Sequence, residues 1–131
     1  SLMKYVIDSY AWLEYFMGTE KGEKAKTVID SRVHEKLTPS ICVAEVYAKV
    51  LRLEGEVEAE NRRAFMKAKS ALIPLSETIA VQAAKLDVTL KKTIKGWGLA
   101  DSIVLATARS TGSMALTGDK HFESLEGVEF I

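Results

Sequence analysis

The sequence predicts an α/β fold: a largely parallel sheet with helices covering both faces. Two observations lead there. Short apolar runs alternate with segments of helical periodicity along the whole chain. Consecutive helix pairs follow the first and second of those runs and thicken the layers, with no linker, internal repeat or low-complexity stretch between them.

Residues 4–8 form a short apolar run ending in an acid and read as a buried strand. Ser9 is placed to cap a helix over 10–17, which Gly18 ends. A second, amphipathic helix covers 20–32, with Ala25, Val28 and Ile29 as its apolar stripe. Residues 34–38 read as a short strand, and Pro39-Ser40 opens a helix through 53, stopped near Gly55. A charged helix follows over 57–70. Residues 71–75 are a strand with Pro74 near its end, and Ser76 caps a helix over 77–91. Gly96-Trp97-Gly98 is a loop. A helix over 99–110 ends at Thr111-Gly112. A strand over 113–117, a short helix over 119–125 and a final strand over 128–131 complete the chain.

A length of 131 residues suits one domain with a core large enough to need no staple. Met3 reads as the natural start, with Ser1-Leu2 as a cloning scar, so the single domain is assigned to 3–131. The one cysteine, Cys42, excludes an internal disulfide and a cysteine-based zinc cluster, and it sits in an apolar run as an inert thiol would. No run is apolar enough to span a membrane and no signal peptide is visible, so the expected location is the cytoplasm. The formal net charge is zero, whereas nucleic-acid binders are usually basic. Cations held by clustered carboxylates would make the loaded face more positive than that total.

Four acids stand out by position. In open α/β sheets functional groups gather beyond the carboxyl ends of strands. Asp8 ends the first strand, and Asp119 follows the fourth after Ala115-Leu116-Thr117-Gly118. Either could also serve as a helix cap. Glu45 lies one helical turn after Ile41 in an apolar segment, where a carboxylate must be desolvated, snorkel outwards or meet a cation. Asp101 sits in the first turn of an apolar helix, where the helix dipole alone would favour it. Together they form a set of oxygen ligands, which selects magnesium or manganese over zinc or copper. Neither histidine reads as a ligand: His34 begins a strand, and His121 is expected on the surface of the last short helix.

These segments resemble the PIN-domain family, and within it the VapC-type toxin ribonucleases, over the whole chain from Met3 to Ile131. Tyr5-Val-Ile-Asp8-Ser-Tyr-Ala-Trp-Leu-Glu14-Tyr-Phe resembles the family's first strand, acid and helix. Pro39-Ser40-Ile-Cys-Val-Ala-Glu45-Val resembles the segment bearing the second acid, and Gly98-Leu99-Ala100-Asp101-Ser102-Ile103 the third motif. Leu116-Thr117-Gly118-Asp119-Lys120-His121-Phe122 resembles the fourth. The resemblance implies a three-layer α/β/α fold with a central five-stranded parallel sheet and a metal-dependent RNA endonuclease. Asp8, Glu45 and Asp101 would be the core acids and metal ligands, completed by Asp119, often through water, with the Thr117 hydroxyl in support. It also implies a homodimer and a small antitoxin protein whose tail enters the site, making this chain the toxin of a type II pair.

Phosphodiesters and bare carboxylates repel each other, so magnesium or manganese is expected to neutralise the acids and activate water for in-line attack on RNA. The acids should raise one another's pKa without metal. Lys91, Lys92, Lys95 and Lys120 are either phosphate contacts or solvated charges, and Trp97 either stacks on a base or anchors its loop. Two other enzyme classes fit poorly. A haloacid-dehalogenase-like phosphatase needs a second aspartate where Tyr10 stands, and Gly96-Trp-Gly98 neither follows the first strand nor has the third glycine of a dinucleotide fingerprint. The main rival is a PIN-like scaffold that binds RNA or a protein partner without cutting.

Overall fold

The computed structural model describes residues 2–131. Its elements are β1 (Lys4–Ile7), α1 (Ser9–Met17), α2 (Glu20–Ile29), β2 (Glu35–Pro39), α3 (Ser40–Glu54), α4 (Glu56–Lys69), β3 (Ala71–Ile73), α5 (Glu77–Leu90), α6 (Leu99–Ser110), β4 (Met114–Thr117), a one-turn 3-10 helix (Lys120–Phe122) and β5 (Val128–Phe130). The five strands form one parallel sheet in the order β3-β2-β1-β4-β5. The chain winds outward from β1 to β3, then crosses back to β4. The order therefore reverses between β1 and β4, and crevices in such sheets open beyond the carboxyl ends at that point.

Strand residues alternate between two cores. Tyr5, Ile7 and Leu116 pack with buried residues of α1, α2, α3 and α4, including Trp12, Ile29, Val46 and Met66. Val6, Leu37 and Ala115 face the other way, onto Val104, Leu105, Ala108, Trp97 and Phe122. The helices pack as pairs, α1 with α2, α3 with α4 and α5 with α6. The result is the expected three-layer α/β/α arrangement. Among the described residues no helix is long and apolar enough to cross a membrane.

Several boundaries differ from the sequence reading, each for a physical reason. Helix α2 stops at Ile29 rather than 32, because the Lys36 ammonium takes the Ile29 and Ser31 carbonyls and Ser31 Oγ accepts the Val33 N–H. Strand β3 ends at Ile73, before Pro74. The short helix expected over 119–125 is a single 3-10 turn capped by Asp119. Asp8, not Ser9, is the cap of α1, with its carboxylate accepting the Ser9 N–H.

Candidate metal centre

Asp8 leaves β1 at the centre of the sheet. Its own N–H still donates to the Leu116 carbonyl at 3.1 Å, so its backbone is pinned to β4 before the chain turns into α1. The carboxylate is buried. Oδ1 accepts the Ser9 N–H at 2.8 Å and faces the Cys42 thiol at 3.8 Å, while Oδ2 accepts the Thr117 hydroxyl at 2.8 Å. Burial, with help from the Glu45 and Asp101 charges, pushes its pKa up to about 7 despite those hydrogen bonds.

Thr117 joins the two strand ends. Its buried hydroxyl donates to Asp8 and accepts the Asp119 N–H at 3.0 Å. Asp119 in turn accepts the His121 N–H on Oδ1 at 2.9 Å, closing the 3-10 turn. Asp119 is therefore a cap, one of the two readings left open by the sequence, and it stays a candidate ligand.

Helix α3 starts directly from β2 through Pro39, so its early turns rise over the carboxyl edge of the sheet. Glu45 reaches that edge from an exposed rim position, and Oε1 accepts the Ser9 hydroxyl at 3.0 Å. Ser9 thus serves the second acid rather than the helix cap. Crowding by protein raises the Glu45 pKa, and the charges of Asp101 and Asp119 add to the effect. Asp101 sits in the first turn of α6, and its Oδ2 accepts the Gly98 N–H at 3.0 Å and faces His121 Nδ1 at 3.1 Å.

The acids converge as two adjoining groups. Donor atoms of Asp8, Cys42 and Glu45 lie within 4.8 Å of one another, as do those of Asp101, Asp119 and His121. The groups sense each other, since Asp101 raises both Asp8 and Glu45. The mutual raising expected from the sequence is present for Asp8 and Glu45, with burial as the larger cause.

Carboxylate oxygens dominate both groups and fit a hard divalent cation. Cys42 adds no soft ligand, because burial and the nearby Asp8 and Glu45 charges raise its pKa well above the usual thiol value and keep it protonated.

Other expectations resolve separately. Trp97 is a loop anchor: its buried indole donates to the Ser102 hydroxyl at 2.7 Å and packs on Phe122 at 5.1 Å between ring centroids. Lys91 is paired with Asp87 at 3.0 Å. Lys92, Lys95 and Lys120 are exposed. His34 accepts the Met3 N–H at 3.1 Å, away from the acids. His121 is half-exposed, in line with a surface turn, but its ring is also drawn to the acids. Its ring lies between Asp101 and Asp119, 3.1 and 3.6 Å from their nearest oxygens. The one local signal was its place two residues after Asp119; the approach to Asp101 is tertiary.

Comparison with known proteins agrees with this arrangement. Residues 5–128 match the PIN domain family. A toxin–antitoxin complex from Klebsiella pneumoniae superposes with a TM-score of 0.75 at 23% identity, covering 95% of each chain. A sarcin–ricin-loop-cleaving VapC toxin from Mycobacterium tuberculosis gives 0.76 at 17% identity, covering 97% of this chain and 96% of that one. VapBC-1 from nontypeable Haemophilus influenzae gives 0.75 at 17% identity, covering 98% and 97%. No curated protein sequence matches significantly. At such identities the structural likeness speaks for the fold, while the family match spans nearly the whole sequence and all four acid-bearing segments: the chain belongs to the PIN domain family.

Proposed function

We propose that this protein is a magnesium- or manganese-dependent endoribonuclease and the toxin of a type II toxin–antitoxin pair. The observation that supports the reading is the pair of acid groups, Asp8 with Glu45 and Asp101 with Asp119, near the switch point of the sheet, with Asp8 buried and held by three donors. Family membership supports nuclease chemistry. The toxin assignment draws on structural neighbours that are themselves a toxin and toxin–antitoxin complexes. A small antitoxin protein and a second copy of the chain are the proposed partners, and RNA is the proposed substrate.

Asp8, Glu45 and Asp101 would hold the cation, with Asp119 contributing directly or through water. When bound, the ion supplies the positive charge a phosphodiester needs at an acidic site and eases deprotonation of attacking water. The chain's own groups prepare that site. Thr117 and the Ser9 N–H fix both oxygens of Asp8, so that carboxylate needs no reorganisation on loading. The Ser9 hydroxyl holds one oxygen of Glu45 and leaves the other free of donors among the described residues. Thr117 also sets where Asp119 leaves β4.

Incubation with a mixture of structured RNAs and Mg²⁺ or Mn²⁺ tests the reading. Cleavage leaving 5′-phosphate and 3′-hydroxyl ends is the expected result. Asp8→Asn removes one anionic ligand and is expected to lower the rate by at least about a hundredfold while the protein stays folded. RNA that is bound but uncut by the wild-type protein, with either ion present, would instead establish a non-catalytic binding module.

A further inference from the structure

His121 and the loop 96–98 hold a position around the third and fourth acids that the chemistry above does not use. The imidazole stands between the two carboxylates, with Nδ1 3.1 Å from Asp101 Oδ2 and 3.6 Å from Asp119 Oδ1. An ionised carboxylate only accepts, so Nδ1 carries the hydrogen and donates it. The same Asp101 oxygen accepts the Gly98 N–H at 3.0 Å. The same Asp119 oxygen accepts the His121 N–H at 2.9 Å. One residue therefore engages Asp101 through its ring and Asp119 through its backbone.

The far side of the ring is equally constrained. Gly96 has φ +82°, a conformation that side chains disfavour, and a Cβ there would lie 3.0 Å from His121 Nε2 and 3.4 Å from Cε1. The Gly96 backbone is thus the wall against which the imidazole rests. Trp97, locked by its hydrogen bond to Ser102, lies 6.5 Å away between ring centroids. The loop that resembled a broken dinucleotide fingerprint has a different use. Gly96 admits the ring, Trp97 anchors the loop, and the Gly98 N–H shares the ring's target oxygen.

The donors all fall on one oxygen of each acid. Asp101 Oδ1 and Asp119 Oδ2 have no hydrogen-bond donor among the described residues. We infer that His121 is a positioning residue. It fixes Asp101 and Asp119 through Oδ2 and Oδ1, so that the opposite oxygens remain for the cation, and the Gly96–Gly98 loop holds the imidazole for that task. This inference rests on the metal-dependent reading above. Outer-shell donors of this kind typically change metal affinity by about ten- to a hundredfold when removed.

Mn²⁺ titration of the full chain, followed by the electron paramagnetic resonance of the free ion, tests it. His121→Phe keeps a ring of similar size without the donor and is expected to weaken Mn²⁺ binding about ten- to a hundredfold. His121→Asn restores an N–H near the Nδ1 position and is expected to recover wild-type affinity to within about threefold. Gly96→Ala, with His121 intact, is expected to weaken binding about tenfold by displacing the ring. Electron spin echo modulation of bound Mn²⁺ should show no directly coordinated nitrogen.

Wild-type affinity in a folded His121→Phe protein, or a coordinated nitrogen from His121, would overturn the inference. Loss of affinity in Asn as severe as in Phe would also overturn it. The readout is ion affinity, so failure of the nuclease reading is a separate result: wild-type protein that binds Mn²⁺ and leaves RNA intact. Wild-type protein with no Mn²⁺ affinity overturns both.

Discussion

Thr117 makes two hydrogen bonds with one hydroxyl, giving its proton to Asp8 and taking one from the Asp119 backbone. Both partners belong to the acid cluster and the hydroxyl is buried, so water cannot replace it. Thr117→Val keeps the shape and removes the oxygen. It should cost about 1–3 kcal/mol in urea unfolding, the usual penalty for orphaning buried polar groups. Thr117→Ser should stay within about 1 kcal/mol of wild type, because only a methyl is lost. A Val variant as stable as wild type would mean that methyl packing, not the hydrogen bonds, explains this residue. The candidate acids stood out in the sequence as a set although Asp8, Asp101 and Asp119 each had a local explanation as well, and Thr117 was named only through the family resemblance. Asp8 ends an apolar run, and Glu45 and Asp101 interrupt apolar helices. His121 was not legible, because nothing local marks a histidine in a polar turn as facing an acid from α6.

At the scale of elements, helix type and order follow from periodicity and capping, while helix ends depend on tertiary partners. The Lys36 side chain that finishes α2 comes from the next strand, so no pattern within residues 20–32 could reveal it. The α1–α2 corner shows the same division. Thr19 caps α2 by accepting the Gly22 N–H at 3.0 Å, a local signal. The reason for glycine at 22 is not local: a Cβ there would lie 2.0 Å from the Glu14 carbonyl oxygen and 3.1 Å from the Tyr15 nitrogen of α1. Gly22→Ala must separate the two helices and should cost on the order of 3 kcal/mol or more, the upper range for overpacking. Gly18→Ala meets no atom within 4 Å but sits at φ +67°, so left-handed strain of about 1–2 kcal/mol is its whole cost. Thermal unfolding of the two variants separates these effects; Gly22→Ala as mild as Gly18→Ala would mean that the corner opens easily.

The whole molecule carries no net formal charge, yet it gathers four carboxylates at the one edge of the sheet where the strand order reverses. That concentration links stability to pH and to metal. The native pKa of Asp8, about 7, lies above its ordinary value of 3.8, and Glu45 shifts in the same direction. A raised acid binds its proton more tightly when folded, so stability is fully present below the ordinary value. It falls as pH rises through the window from about 4 to 7, because the native state must then hold unneutralised charge. Metal-free protein should therefore melt at a lower temperature at pH 8 than at pH 5 as far as these two acids are concerned. A divalent cation binds the ionised form and reverses that loss. Free ion at ten times its dissociation constant adds about 1.4 kcal/mol, or on the order of 5 °C for a domain of this size. The shift should be present at pH 8 and shrink towards pH 5 as protons compete for Asp8. It should be lost in large part in Asp8→Asn, whose metal-free form should be more stable than wild type at pH 8, having no buried charge to accommodate. Differential scanning fluorimetry across pH, with Mg²⁺ or a chelator, reads all of this in one experiment. A metal shift that is absent at pH 8, or equal at pH 5 and pH 8, would mean that the cluster at the switch point is not where the ion binds.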